Sequence, residues 1–131
     1  RGGGLALYNE LLGKINLETN NFAEARKYFE QYLDRGTSEL LKNSAAVAGL
    51  AGCLEGEAKH GEAAEKYLEA ARLNPKGPQE EDYQLAAFRN FLDANEIDKA
   101  RAQLAELKIS FKGSGKVYRA EMLLAERTTA H

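Results

Sequence analysis

The chain has 131 residues, 18 basic and 20 acidic side chains for a net charge of -2, one cysteine and two histidines. That length fits one domain able to bury a core of its own, and the near-neutral balance lacks the basic footprint of a nucleic-acid binder. No stretch approaches the ~18 consecutive apolar residues of a membrane span. The lone Cys53 can make no internal disulfide, and with so few histidines no zinc set can be assembled, so neither a metal nor another cofactor is expected.

Helix formers dominate, prolines number two, and apolar residues recur at spacings of three and four without strand-like alternation, which predicts an all-α chain of seven helices. The opening Arg1-Gly2-Gly3-Gly4 has no initiator Met and reads as a frayed terminus of a piece cut from something longer. The first helix is expected from about Leu5 to Thr19, with Leu5, Tyr8, Leu12 and Ile15 on one face. The second runs from Asn21 or Phe22 to Asp34 and carries Phe22, Ala25, Phe29, Tyr32 and Leu33, with Gly36 as its stop. Thr37 or Ser38 then caps a third helix reaching about Lys59. The fourth, Gly61 to Leu73, ends at Asn74-Pro75 because proline disfavours a helical residue before it. Pro78 suits the first turn of the fifth helix, where Glu80, Glu81 and Asp82 complement the helix dipole, and that helix runs to about Ala94. The sixth spans Ile97 to Phe111, and after Lys112-Gly113-Ser114-Gly115 a seventh, Lys116 to about Arg127, has no partner helix.

The chain also repeats itself. Phe22, Ala25 and Phe29 fall on His60, Ala63 and Tyr67, and these fall on Ile97, Ala100 and Leu104, at offsets of 38 and 37. Self-similarity at such a period marks a solenoid whose units bury their apolar faces by stacking. The matching sets are Leu12-Gly13 with Ala25, Phe29 and Tyr32; Leu50-Ala51 with Ala63, Tyr67, Ala70 and Pro75; and Ala87-Phe88 with Ala100, Leu104 and Leu107. They resemble the tetratricopeptide repeat, over essentially Leu5 to Arg127. The third unit departs most, since Phe88 stands where the family has a small residue. The resemblance implies a single domain over 1–131, a right-handed α-solenoid of antiparallel helical hairpins, with repeats at about 5–37, 38–77 and 78–113 and a closing helix at about 115–128. The long period and the Phe111-Lys112-Gly113-Ser114 joint are similar to those of bacterial cell-envelope members. That similarity implies a periplasmic or envelope fragment of a membrane-anchored protein, with a cytoplasmic location as the alternative.

No catalytic set emerges. Ser38, Ser44, Ser110 and Ser114 have no histidine at motif spacing, Cys53 reads as a packed thiol, and His60 occupies a packing position of the repeat. Glu80-Glu81-Asp82 reads as helix-start complementation rather than a cation site.

A binding surface is therefore expected instead of an active site. The resemblance places the first helix of each hairpin on a concave face, and its inner positions fall on Leu7, Glu10, Lys14 and Leu17, then on Ala45, Ala48, Gly52 and Glu55. Asp82, Leu85, Arg89 and Leu92 continue the face, and Arg119, Met122 and Glu126 complete it. The Lys-Asn-Arg clamp by which some relatives grip a chain terminus is missing, because Ala48 and Gly52 follow Lys14 at the corresponding positions. Gly49, Gly52 and Gly56 share one face of the third helix at a cost of roughly 1 kcal/mol each. They are expected on the inner face, either packed by neighbouring helices or left bare for a ligand. The functional expectation is a non-enzymatic scaffold holding a peptide or helix of a partner protein, with apolar contacts from Leu17, Leu85, Leu92 and Met122 and steering from Lys14, Arg89 and Arg119. The alternative is a homodimer formed through the last helix, with Val117, Leu123 and Leu124 exposed.

Overall fold

The computed structural model describes residues 2–36 and 39–129, and all regular structure within them is helical. The helices are α1 (Gly2–Glu18), α2 (Phe22–Arg35), α3 (Leu40–Gly56), α4 (His60–Leu73), α5 (Glu80–Asp93), α6 (Ile97–Ser110) and α7 (Gly115–Thr129). They pack as the hairpins α1–α2, α3–α4 and α5–α6 with α7 closing the row, an all-α helical repeat solenoid. Among the described residues no helix is long and apolar enough to cross a membrane.

The repeat also shows in the backbone. Within each hairpin one residue takes a left-handed conformation: Asn20 at φ 64°, Ala58 at φ 61° and Asn95 at φ 61°. The next residue then donates its N–H back across the turn, Asn21 to the Asn16 carbonyl at 2.7 Å, Lys59 to Leu54 at 2.8 Å and Glu96 to Phe91 at 2.8 Å. This is the Schellman closure, which satisfies carbonyls left open at a helix end. Asparagine tolerates the conformation; alanine does so at a cost.

Side-chain stacking follows the same register. Ala25, Ala63 and Ala100 are wholly buried where two helices of a hairpin touch. The buried Phe29 ring lies in a slot between two backbones, because a Cβ added at Gly13 would stand 2.8 Å from it and one at Gly49 2.6 Å. Gly56 backs onto Phe22 in the same way, and Gly52 borders Leu17, with a would-be Cβ 3.2 Å from its Cδ2. The glycine strip is therefore a joint between α3 and the preceding hairpin and not a bare groove floor. Close approach of the Phe29 and Phe22 rings to the helix backbone accounts for Gly49 and Gly56 standing there despite glycine's low helix propensity.

Several sequence expectations shift. Gly2–Gly4 lie inside α1 rather than fraying before it, α3 stops at Gly56, and Pro78 sits in the turn ahead of α5, whose N-cap is Gln79. The expected caps Thr37 and Ser38 lie outside the described residues. The stripe Leu5, Tyr8 and Ile15 faces outward, and α1 packs instead through Asn9 and Gly13. At the other end Val117 and Leu124 are buried, 5% and 8% exposed, with Leu123 half-buried, so the stripe expected to lie bare is the one that anchors α7.

Candidate functional site

First and second helices share the core: α3 and α5 each bury seven residues, against three or four on α2, α4 and α6, and the other faces of the first helices leave polar groups toward solvent. On α1, Leu7 and Lys14 are exposed, Lys14 pairs with Glu10 at 3.3 Å, and Leu17 is half-buried against α3. On α3, Ala45, Ala48 and Gly52 present a half-buried, nearly side-chain-free surface, with the exposed Glu55 one turn beyond Gly52.

Between α3 and α5 an aromatic side chain of α4 intervenes. Tyr67 donates its hydroxyl to Glu55 at 3.0 Å, and its ring centroid stands 6.4 Å from that of Tyr83 on α5. Burial, and next the Glu55 carboxylate, push the Tyr67 hydroxyl well above its ordinary range, so it remains a donor. Tyr67 occupies the repeat position of Phe29, and its hydroxyl is the signal that the ring ends at a polar partner.

The α5–α7 side holds a cleft of about 390 Å³. Its apolar part comes from Leu85, Ala120 and Leu123, and its rim from Asp82, Arg89, Lys116 and Arg119. Lys116 donates to Asp82 at 2.9 Å, and that bond raises the lysine pKa. Asp82 is thereby occupied. Arg89 and Arg119 are exposed and bond to none of the described side chains.

Of the residues expected on the inner face, the structure thus brings Asp82, Leu85, Arg89 and Arg119 into one cleft. Met122 is half exposed on the next turn of α7 and outside the cleft lining. Leu92, 3% exposed, belongs to the core shared by α4 to α7, and Leu85, 5% exposed, shows the cleft only its edge. Neither leucine offers the broad apolar contact expected of it. Lys116, Ala120 and Leu123 were not anticipated here, because they join the site through the α5–α7 crossing rather than through repeat register.

Several of the other chemistry-bearing groups have structural partners, while Ser38 lies outside the described residues. Ser44 is buried and donates to the Ala70 carbonyl at 2.6 Å, tying α3 to α4. His60 Nδ1 lies 2.9 Å from Asn90 Oδ1. Glu80 accepts the Lys76 N–H at 2.9 Å, and Glu81 accepts the Ser114 hydroxyl.

Hairpins of this length, joined by left-handed turns and stacked on alanines, are what the tetratricopeptide repeat builds, and that family's model matches residues 10–78, just over half of the chain. The chain belongs to the tetratricopeptide repeat family. No curated protein and no solved structure matches it. Tetratricopeptide repeats generally mediate protein–protein interaction, and as scaffolds they are typically non-enzymatic.

Proposed function

We propose that this tetratricopeptide protein is a non-enzymatic scaffold that holds a peptide or helix of a partner protein along the face of its first helices. The observation carrying this reading is the cleft between α5 and α7, where an apolar edge lies beneath two arginines that bond to none of the described side chains. Its volume sits at the small end of ligand clefts, roughly 300–1,000 Å³, and suits a few side chains of a segment rather than a whole domain. The short side chains of the half-buried Ala45 and Ala48 give such a segment room to continue across α3. Selection of random peptides on the protein tests the reading. Ala48→Arg and Met122→Arg together place long side chains on this face, and are expected to weaken selected peptides by about tenfold, the size of one good hot-spot contact. Unchanged affinity in that variant would contradict the reading.

A second reading, self-association, is favoured by α1. Tyr8, Leu11 and Ile15 are each about half exposed, at 57%, 50% and 53%. Their repeat mates Ala46, Gly49 and Cys53 are buried against the preceding hairpin. Within the described residues nothing covers this face of the first hairpin, and it is here proposed to meet α1 of a second copy across a two-fold axis. Sedimentation across a concentration series is expected to show a dimer that Leu11→Glu with Ile15→Glu returns to monomer. A monomer at all concentrations would remove this reading and leave the first intact.

A further inference from the structure

We infer that the α5–α7 cleft selects an acidic side chain, aspartate or glutamate, set within a partner segment next to an apolar residue. The inference rests on the groove reading above and adds the chemistry of the occupant.

Charge bookkeeping around the cleft motivates it. Its lining carries three cationic side chains, Arg89, Lys116 and Arg119, against one carboxylate, Asp82, which already holds Lys116 at 2.9 Å. The two guanidinium groups therefore remain as uncompensated charge on opposite walls, Arg89 from α5 and Arg119 from α7. Other ion pairs on these helices are closed without them: Arg127 takes Asp93 at 3.0 Å, and Lys108 takes Glu121 at 2.8 Å. Two further inner-face carboxylates are engaged, Glu55 by the Tyr67 hydroxyl and Glu10 by Lys14, while Glu126 lies exposed two turns beyond Arg119 on α7 and outside the cleft lining.

An arginine fork binds a carboxylate through parallel N–H donors and, unlike lysine, keeps its charge at any working pH. Two of them flanking the half-buried Leu123, with the edges of the buried Leu85 and Ala120 beside it, specify a carboxylate next to one apolar group. The apolar strip excludes water from part of the contact, which strengthens the charge pairing relative to an open surface. A basic partner would meet two like charges there, so the same residues also reject the wrong occupant.

The experiment is selection of random short peptides, displayed internally so that no chain terminus is free, on wild-type protein and on two charge variants. Wild type is expected to enrich aspartate or glutamate beside leucine-like residues. Arg89→Gln with Arg119→Gln is expected to lose the acidic enrichment while its pool stays apolar, and to bind wild-type-selected peptides about tenfold or more weaker, as loss of charge-assisted hydrogen bonds entails. Arg89→Glu with Arg119→Glu is expected to turn the enrichment basic. Both arginines are exposed, so unchanged melting curves are expected to accompany these shifts. A wild-type pool without acidic bias, but sensitive to Ala48→Arg with Met122→Arg, would overturn the acidic preference and leave the groove reading standing. A pool indifferent to every one of these variants would overturn both. If the selected sequences bind as synthetic peptides only with a free terminal carboxylate and fail when amidated, the occupant is a chain end and the side-chain assignment is wrong.

Discussion

Replacing Gly49 with alanine separates tight packing from helix propensity. In a helix interior, glycine to alanine gains roughly 1 kcal/mol. At Gly49 the new Cβ would stand 2.6–2.7 Å from Cζ, Cε1 and Cε2 of Phe29. That ring cannot retreat, because on its other side Gly13 already holds it at a would-be Cβ distance of 2.8 Å. Overpacking at such a site costs about 1–3 kcal/mol, which cancels or exceeds the gain. Gly52 supplies the control on the same helix: its added Cβ meets only the free end of Leu17, at 3.2 Å, so Gly52→Ala keeps most of the gain. The propensity contribution is common to both variants, and their difference isolates the Phe29 slot. For a domain of this size that difference corresponds to roughly 4–12 °C in melting temperature, Gly49→Ala melting lower. Circular dichroism melts of the two variants measure it, and adding Phe29→Leu to Gly49→Ala is expected to give a favourable coupling of about 1 kcal/mol. A Gly49→Ala protein melting at or above Gly52→Ala would refute the slot.

Ala58→Asn restores the residue that the other two hairpin turns use at φ near 60°, and is expected to raise stability by about 1 kcal/mol in thermal melts. Ala63→Leu forces extra methylenes into a wholly buried contact and is expected to lower stability by about 1–3 kcal/mol, read the same way. Deleting the chain after Gly113 removes Val117, Ala120 and Leu124 from the core shared by α4 to α7, so the remaining array is expected to melt lower and to bind a hydrophobic dye. Burial pushes the Cys53 thiol up to about 11, above an unfolded thiol near 8.5. Its stabilising contribution is therefore full below the unfolded value and lost as pH rises toward about 11, so Cys53→Ala is expected to show a shallower alkaline loss of stability.

The fold was legible because the repeat is written in residues that cannot be exchanged freely. Alanine recurs where two backbones touch, and apolar spacing of three and four marks every helix, so the number of helices and their pairing could be read directly. Turn positions were harder: Ala58 carries no sign of the left-handed conformation that Asn20 and Asn95 advertise, and the reading carried α3 past it to Lys59. The ends of the array misled for a physical reason. An apolar stripe on an isolated helix does not say whether a neighbour covers it, so Tyr8 and Ile15 looked like core and are exposed, while Val117 and Leu124 looked bare and are buried. For the candidate site, Asp82, Arg89 and Arg119, which repeat register assigns to one face, line a single cleft. Repeat register could not place Lys116 or Leu123, which depend on how α7 crosses α5, nor show that the strip of glycines was filled by Phe29, Leu17 and Phe22.

Whether a partner segment lies along the first helices is tested most directly by paramagnetic labelling. Met122→Cys puts a single reactive thiol beside the cleft, because the native Cys53 is buried, and Ala102→Cys puts one on the exposed side of α6. With a nitroxide attached at each in turn, a bound selected peptide is expected to lose NMR signal intensity from the label at 122 and to keep it with the label at 102. Broadening from 102 with none from 122 would contradict binding on the face of the first helices.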